Sequence, residues 1–240
     1  MSPKQPKHKT KFNAVDLVSH YKNMVTSDEK LSMSENAAMF EEYCRFIEDE
    51  YGLVGKIVTH RVRKDTAFYL EALERYGKTK EDEQTAENLL TLTSENKNDA
   101  KFHTELCHRL AVLLSFFSYV VLILDGYEKP DLPGRNFIAD CYEVTLGKLE
   151  PWYIRKPVQA MLRLYAGKEY WKEHYFENEA IFPGNTIADI LTYSKKIQQH
   201  MIKLMEKIGC HHLIHTGTSA DLNDLDNPSS SFSNSDNSSN

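Results

Sequence analysis

The chain has 240 residues, of which 41% are hydrophobic and 27% charged, and its formal net charge is −6. This length suits one globular domain with a sizeable core plus tails. The negative charge provides no basic field of the kind that non-specific nucleic-acid binding requires, so we expect no nucleic-acid partner. The N-terminus lacks the apolar run of a signal peptide. Four scattered cysteines are typical of reduced thiols in the cytosol: Cys44, Cys107, Cys141 and Cys210.

Two polar tails frame the predicted domain, which covers residues 12–215. Residues 1–11 are predicted to form a disordered basic arm and residues 216–240 a disordered tail rich in Ser and Asn, because neither can bury a core. Between them, apolar residues recur at helical spacing and no strand-type alternation stands out, which predicts an all-α domain of about eight helices. In chain order the predicted helices cover residues 13–25, 35–76, 81–94, 101–124, 136–149, 152–166, 168–176 and 187–208.

The most apolar run, residues 110–124, is shorter than the roughly 18 residues that span a bilayer, and we expect it to be a buried central helix. An all-α domain can open a slot for acyl chains between two helical layers. Apolar side chains of this helix and of the long second helix are natural linings for such a pocket, although ordinary core packing explains the same positions. They are Phe46, Leu53, Val54, Ile57, Phe116 and Phe117.

The stretch from Ala139 to Lys156 is the most distinctive part of the sequence. It reads Ala-Asp-Cys-Tyr-Glu-Val-Thr-Leu over residues 139–146 and Glu-Pro-Trp-Tyr-Ile-Arg-Lys over residues 150–156. Its spacing predicts a helix, a break, and a second helix that Pro151 opens. An aromatic side chain beside cations at an exposed helix start is a common means of meeting a membrane interface.

This order of residues resembles the glycolipid transfer protein superfamily, near its ceramide-1-phosphate transfer branch. There, an Ala-Asp-x-Tyr-x-x-Ser/Thr-Leu helix leads into a His-Pro-Trp-x-x-Arg-Arg/Lys turn, and Glu150 stands here in place of the His. The resemblance covers most of residues 12–208, and residues 139–158 are its specific part. It implies a two-layer helical sandwich that encloses a lipid chain pocket. It also implies membrane docking through Trp152, Tyr153, Arg155 and Lys156.

Two cations of the predicted helices, Lys64 and Arg109, can together hold a phosphate, with Lys as a point charge and Arg as a planar fork. From the residues alone, a solvated basic face and an Arg that reaches to water explain them equally well. The resemblance favours phosphate binding, because glycolipid carriers place a sugar-stacking Trp at the Arg109 position. A second phosphate-binding Arg of the branch is Glu105 here, which weakens this assignment.

The superfamily holds the lipid amide between an acid and a His. The register that needs no insertion before the site puts His60 at the position of the acid and Glu150 at that of the His. We therefore expect exchanged roles, in which Glu150 accepts the amide N–H and His60 donates to the acyl carbonyl. A second register makes Asp65 the acid instead. Glu150 then needs only to cap the helix that Pro151 begins.

The sequence contains no P-loop, Gly-x-Ser-x-Gly, Cys-x-x-Cys or His-Glu-x-x-His motif. His211 and His215 are four residues apart, a spacing that invites a metal interpretation. No clear further ligand accompanies them, and cationic His near a helix end is the commoner explanation. We therefore expect no catalytic residue, no metal site and no cofactor.

The sequence thus predicts a non-enzymatic sphingolipid transfer protein that binds one lipid, ceramide-1-phosphate being favoured, and shuttles it between membranes. We expect a cytoplasmic monomer that contacts membrane surfaces transiently as a peripheral protein. One alternative is a lipid sensor or adaptor that binds lipid without transfer, which the departures at Glu105 and Glu150 favour. The less favoured alternative is an α-helical metal-dependent hydrolase that uses the histidines.

Overall fold

The computed structural model describes residues 11–76, 84–95, 100–127, 129, 136–164 and 168–226. Eight side chains within these ranges lie outside the description: Leu53, Val54, Ile57, Val58, Arg61, Asn223, Asp224 and Asp226. Over the described residues the protein is all-α, with nine α-helices, no strand and two isolated β-bridges.

A helix lies in each of the eight predicted segments over the described residues, although the segment 35–76 reverses direction at Gly52. The α-helices are α1 (Ala14–Met24), α2 (Met33–Tyr76), α3 (Ala86–Glu95), α4 (Ala100–Gly126), α5 (Phe137–Val144), α6 (Trp152–Leu164), α7 (Lys168–Trp171), α8 (Thr186–Lys207) and α9 (Ser219–Asp226). A 3-10 turn follows α5 at Leu146–Lys148, and a π-helical turn continues α7 at Lys172–Phe176. The prediction of a disordered tail from residue 216 misses α9, in which Leu222 is fully buried.

The chain divides into two compact units. Unit 1 comprises Met1–Glu105 and Glu179–Thr186, and unit 2 comprises Leu106–Asn178 and Ile187–Asn240.

In unit 1, α1 begins where the side chain of Asn13 accepts hydrogen bonds from the backbone N–H groups of Val15 and Asp16, at 3.0 and 3.5 Å. This is the usual capping arrangement of a helix N-terminus. α1 packs on α2, and the hydroxyls of Tyr21 and Tyr43 lie 2.8 Å apart between them. Burial raises the pKa of Tyr43 well above its ordinary value, so the Tyr43 hydroxyl stays protonated at neutral pH and can take part in this bond.

α2 turns back on itself at Gly52, whose φ of 53° and ψ of −120° are not helical. Arg63 Nε lies 3.1 Å from Glu41 Oε2, whereas 22 residues of continuous helix would separate these residues by about 33 Å. The segments 33–51 and 53–76 therefore lie side by side and antiparallel. Gly55 permits this close approach, because a Cβ there would lie 2.3 Å from the carbonyl oxygen of Ile47.

An ionic cluster joins the two segments of α2. The Arg63 guanidinium contacts both oxygens of Glu41, at 3.1 and 3.2 Å, and also binds Glu48. The Thr59 hydroxyl donates to the same Glu48 carboxylate at 2.8 Å. These bonds to Glu41 and Glu48 raise the pKa of Arg63 above its ordinary value. The cluster holds the second segment of α2 in one rotational setting, which decides which side chains face outward.

α4 provides much of the core of unit 2. Its residues Leu110, Leu114 and Phe117 are fully buried. At 27 residues α4 is longer than predicted. By length and composition alone it could cross a membrane, which corrects the expectation that the apolar run 110–124 is too short to do so. Of its most apolar 18-residue window, 61% is buried inside the protein, and the core helix of a folded domain passes the same test.

α8 and the segment after it complete unit 2. The α8 residues Ile190, Ile197 and Met201 are buried. The amide of Gln198 donates to the hydroxyl of Ser118 on α4 at 2.9 Å.

Beyond α8, the chain passes along α4 and α5. The hydroxyl of Ser115 donates to the carbonyl of His215 at 3.3 Å. A Cβ at Gly217 would lie 2.8 Å from the Thr145 methyl group, so this segment lies directly against the end of α5.

Candidate functional site

α6 exposes an apolar and cationic face. Trp152, Tyr153 and Leu164 are 72%, 62% and 86% exposed, and the two aromatic rings meet edge to face with centroids 6.3 Å apart. Lys156 and Arg163 are also exposed. At the helical spacing of these positions all five side chains fall on one side of α6. The sequence of α6 contains no Asp or Glu, so this face carries only positive charge.

Arg155 lies away from that face, although the sequence grouped it with the docking residues. Its side chain is 32% exposed, and its Nη1 atom lies 4.0 Å from Glu143 Oε1 on α5. Its Cδ atom would lie 3.4 Å from a Cβ at Gly147, so the missing side chain of Gly147 makes room for the arginine stem. Of the predicted docking residues, Trp152, Tyr153 and Lys156 are exposed, whereas Arg155 is directed toward a carboxylate.

Tyr142, Glu143, Glu150 and Arg155 form a polar cluster where α5 leads into α6. Burial raises the pKa of Tyr142 above its ordinary value, and Glu150 and Glu143 raise it further, whereas Arg155 opposes this effect. Tyr142 is only 5% exposed, and its Oη atom is buried with no hydrogen-bond partner among the described residues. In the sequence Tyr142 lies at helical spacing from Ile138 and Leu149, an apolar stripe that gives no sign of this polar cluster. The available sequence signal for the cluster was the break at Gly147, because this break brings α5 and α6 together.

The predicted headgroup residues fall in both units. In unit 1, His60 and Lys64 are exposed on one face of the second segment of α2, together with Lys56. The alternative acid, Asp65, is half-buried on another side of that helix. The ionic cluster directs Arg63 away from the basic face.

In unit 2, Arg109 is half-buried on α4, with its Nε atom enclosed. Glu150 is half-buried beside Tyr142.

Among the predicted lining residues of the chain pocket whose side chains are described, Phe46 and Phe117 are buried and Phe116 is half-buried. Phe46 is 9% exposed, and its ring centroid lies 5.1 Å from that of Phe12 and 6.0 Å from that of Phe182. Phe117 is fully buried and meets Phe116 edge to face, with centroids 5.7 Å apart. The side chains of Leu53, Val54 and Ile57 lie outside the described residues.

His211 and His212 belong to a 3-10 turn at His211–Leu213, and His215 follows it. Within the described part of the chain, no group of three or more His, Cys, Asp and Glu side chains is placed to hold a metal ion. Burial lowers the pKa of His215, and Lys148 lowers it further.

Three solved structures are similar to this chain. One is the mouse ceramide-1-phosphate transfer protein in its apo form, with 14% sequence identity and a TM-score of 0.65 over 83% of this chain and 98% of that chain. The human ceramide-1-phosphate transfer protein in complex with 12:0 ceramide-1-phosphate gives 16% identity and a TM-score of 0.61, with the same coverage. Its complex with 2:0 ceramide-1-phosphate gives 17% identity and a TM-score of 0.61 over 84% of this chain and 99% of that chain.

No family model matches the sequence, and no curated protein matches it. At these identities the likeness is one of fold. This chain has the all-helical fold of ceramide-1-phosphate transfer proteins, which confirms the fold relationship that the sequence motif implied.

Proposed function

We propose that the protein is a non-enzymatic carrier that binds one sphingolipid, ceramide-1-phosphate, and moves it between membranes from the cytoplasm. The observation that carries this proposal is the fold. It matches nearly the full length of a human protein solved with ceramide-1-phosphate bound. Such a carrier makes and breaks no bond and needs no cofactor. Its interior must bury the lipid chains as favourably as the bilayer does. Burial in the bilayer stabilises a chain by about 0.8 kcal/mol for each CH₂ group.

Docking on the membrane is proposed to use the exposed face of α6. Trp favours the membrane interface, and each nearby cation contributes about 1 kcal/mol of attraction to an anionic surface. We extend the proposed docking set along the helix to Arg163 and Leu164, because both are exposed on the same side as Trp152. We propose that the protein binds the membrane as a monomer, with α6 lying parallel to the membrane surface.

The headgroup assignments are proposals from the sequence register. Lys64 and Arg109 are proposed to hold the phosphate, while Glu150 accepts the amide N–H and His60 donates to the carbonyl. The two registers assign the role of the acid to different residues, Glu150 or Asp65. Asp65 is half-buried and Glu150 lies in a polar cluster, and a single variant at each position distinguishes the registers. If Asp65→Asn abolishes lipid binding while Glu150→Gln leaves it unchanged, Asp65 is the acid and the exchanged pair is wrong.

Transfer between vesicles tests the function itself. Donor vesicles that carry fluorescent ceramide-1-phosphate are mixed with acceptor vesicles, and the rate of transfer is compared with that of a neutral glycosphingolipid bearing the same acyl chain. We expect transfer of the phosphorylated lipid in proportion to protein concentration. Equal or faster transfer of the neutral glycolipid would overturn the assignment of the cargo.

A lipid sensor is the second candidate, favoured by the acidic residues Glu105 and Glu150 at positions where the superfamily carries Arg and His. A sensor would bind ceramide-1-phosphate in solution without moving it between vesicles. Binding measured by calorimetry together with absent transfer would therefore select the sensor over the carrier.

A further inference from the structure

The hydroxyl of Tyr142 is buried and makes no hydrogen bond to any residue that the structure describes. The residue is 5% exposed, and Oη has no hydrogen-bond partner among the described residues. Burying a hydroxyl without a partner destabilises a folded protein. A native structure that keeps such a group at a candidate binding site suggests that a ligand supplies the partner.

The surroundings of this hydroxyl define what it can bind. Burial and two carboxylates keep the Tyr142 pKa above its ordinary value, so the group stays protonated and can donate. The neighbouring Glu143 uses Oε1 toward Arg155, while its buried Oε2 has no hydrogen-bond partner among the described residues. Among the described residues, the Tyr142 hydroxyl is therefore a donor without a partner, and Glu143 Oε2 is an acceptor without a partner in the same cluster. A hydroxyl group needs this combination, because it accepts one hydrogen bond and donates another.

We propose that Tyr142 binds the hydroxyl of the sphingoid backbone, with Glu143 as the acceptor, and that Arg155 positions Glu143 rather than contacting the membrane. This inference rests on the proposed function and adds a residue that selects the lipid backbone. In a sphingoid base the hydroxyl is next to the carbon that carries the amide. Tyr142 and Glu143 would therefore act beside Glu150, with which Tyr142 already interacts electrostatically.

The test uses the variant Tyr142→Phe, which removes only the oxygen. Short-chain 2:0 ceramide-1-phosphate and its analogue lacking the backbone hydroxyl are titrated calorimetrically in solution without vesicles, so docking has no part in the result. We expect Tyr142→Phe to weaken binding of the hydroxylated lipid by about tenfold and to leave binding of the deoxy analogue unchanged. The matched control is Tyr193→Phe, which removes a half-buried hydroxyl on α8 and should change neither affinity.

Thermal unfolding of the lipid-free protein provides a second measurement, in which Tyr142→Phe should not be less stable than the wild type although it binds the lipid more weakly. Removing an unused buried hydroxyl should leave the melting temperature unchanged or raise it. A lower melting temperature or an unfolded variant would show that Tyr142 has a structural partner, and would overturn the inference. Equal binding of the hydroxylated lipid by wild type and Tyr142→Phe would also overturn it, with the proposed function intact. If the wild type binds neither lipid, the proposed function fails and the inference with it.

Discussion

Removing the indole of Trp152 tests how the protein meets a membrane. The side chain is 72% exposed, and a Trp buries roughly 150–250 Å² when it is covered. Covering the exposed part would remove on the order of 150 Å² from water, which at about 25 cal/mol per Å² is an upper limit of about 4 kcal/mol. The membrane interface remains partly hydrated, so we expect Trp152→Ala to weaken binding to anionic vesicles by at least about tenfold.

Vesicle sedimentation measures this affinity, and fluorescence shows whether the indole itself enters the interface. The chain has only two tryptophans, so Trp171→Phe leaves Trp152 as the single Trp reporter. Its emission should shift to the blue on anionic vesicles but not on neutral ones. Val15→Ala, which removes an apolar side chain that is 58% exposed in unit 1, is the control for vesicle binding. A Trp152→Ala variant that binds vesicles normally, or that melts several degrees earlier, would refute docking through Trp152.

Three further experiments address the headgroup and the fold. Arg109→Leu should slow vesicle-to-vesicle transfer of ceramide-1-phosphate by at least about tenfold, because a charge-assisted bond to a desolvated phosphate contributes roughly 1.5–3 kcal/mol; transfer at the wild-type rate would contradict phosphate binding. His60→Asp and Glu150→His should each weaken lipid binding in calorimetry, and the double variant should recover much of it, whereas losses that simply add would exclude the exchanged roles. Gly55→Ala should lower the melting temperature by several degrees, since its Cβ would lie 2.3 Å from the Ile47 carbonyl oxygen; an unchanged melting temperature would argue against the folded-back α2.

The helices could be predicted because each has an apolar stripe at helical spacing, whereas the path of α2 could not. The glycines Gly52 and Gly55 permit a bend in the sequence but do not reveal a reversal. The reversal is evident from tertiary contacts such as that of Arg63 with Glu41, 22 residues away. Such a pairing depends on the whole tertiary arrangement, and the local pattern of charges around Arg63 is equally compatible with a solvated helix face.

α9 was missed for a related reason. Residues 219–226 are mostly polar, and local composition predicts disorder. α9 is held in place because Leu222 is buried where α9 packs on α5, and because Gly217 allows the preceding segment to lie against Thr145. Here tertiary contacts outweigh local preference, which no single stretch of sequence reveals.

The candidate site was predictable by position but not by the orientation of every side chain. The motif located Trp152 at the start of an exposed helix, as the structure has it. The same motif grouped Arg155 with it, although Arg155 lies beside Glu143. Tyr142 belonged to an apolar stripe in sequence, and only its position near Glu150 reveals a polar environment.

The central claim is that the protein carries one sphingolipid with a phosphate headgroup. Native mass spectrometry of the protein purified from cells tests this most directly, because it weighs the complex and identifies the lipid that is released. The account predicts a fraction of the protein heavier by the mass of a single ceramide-1-phosphate, released chemically unchanged. A protein that retains a neutral glycosphingolipid instead, or that holds no lipid even after incubation with ceramide-1-phosphate vesicles, would contradict it.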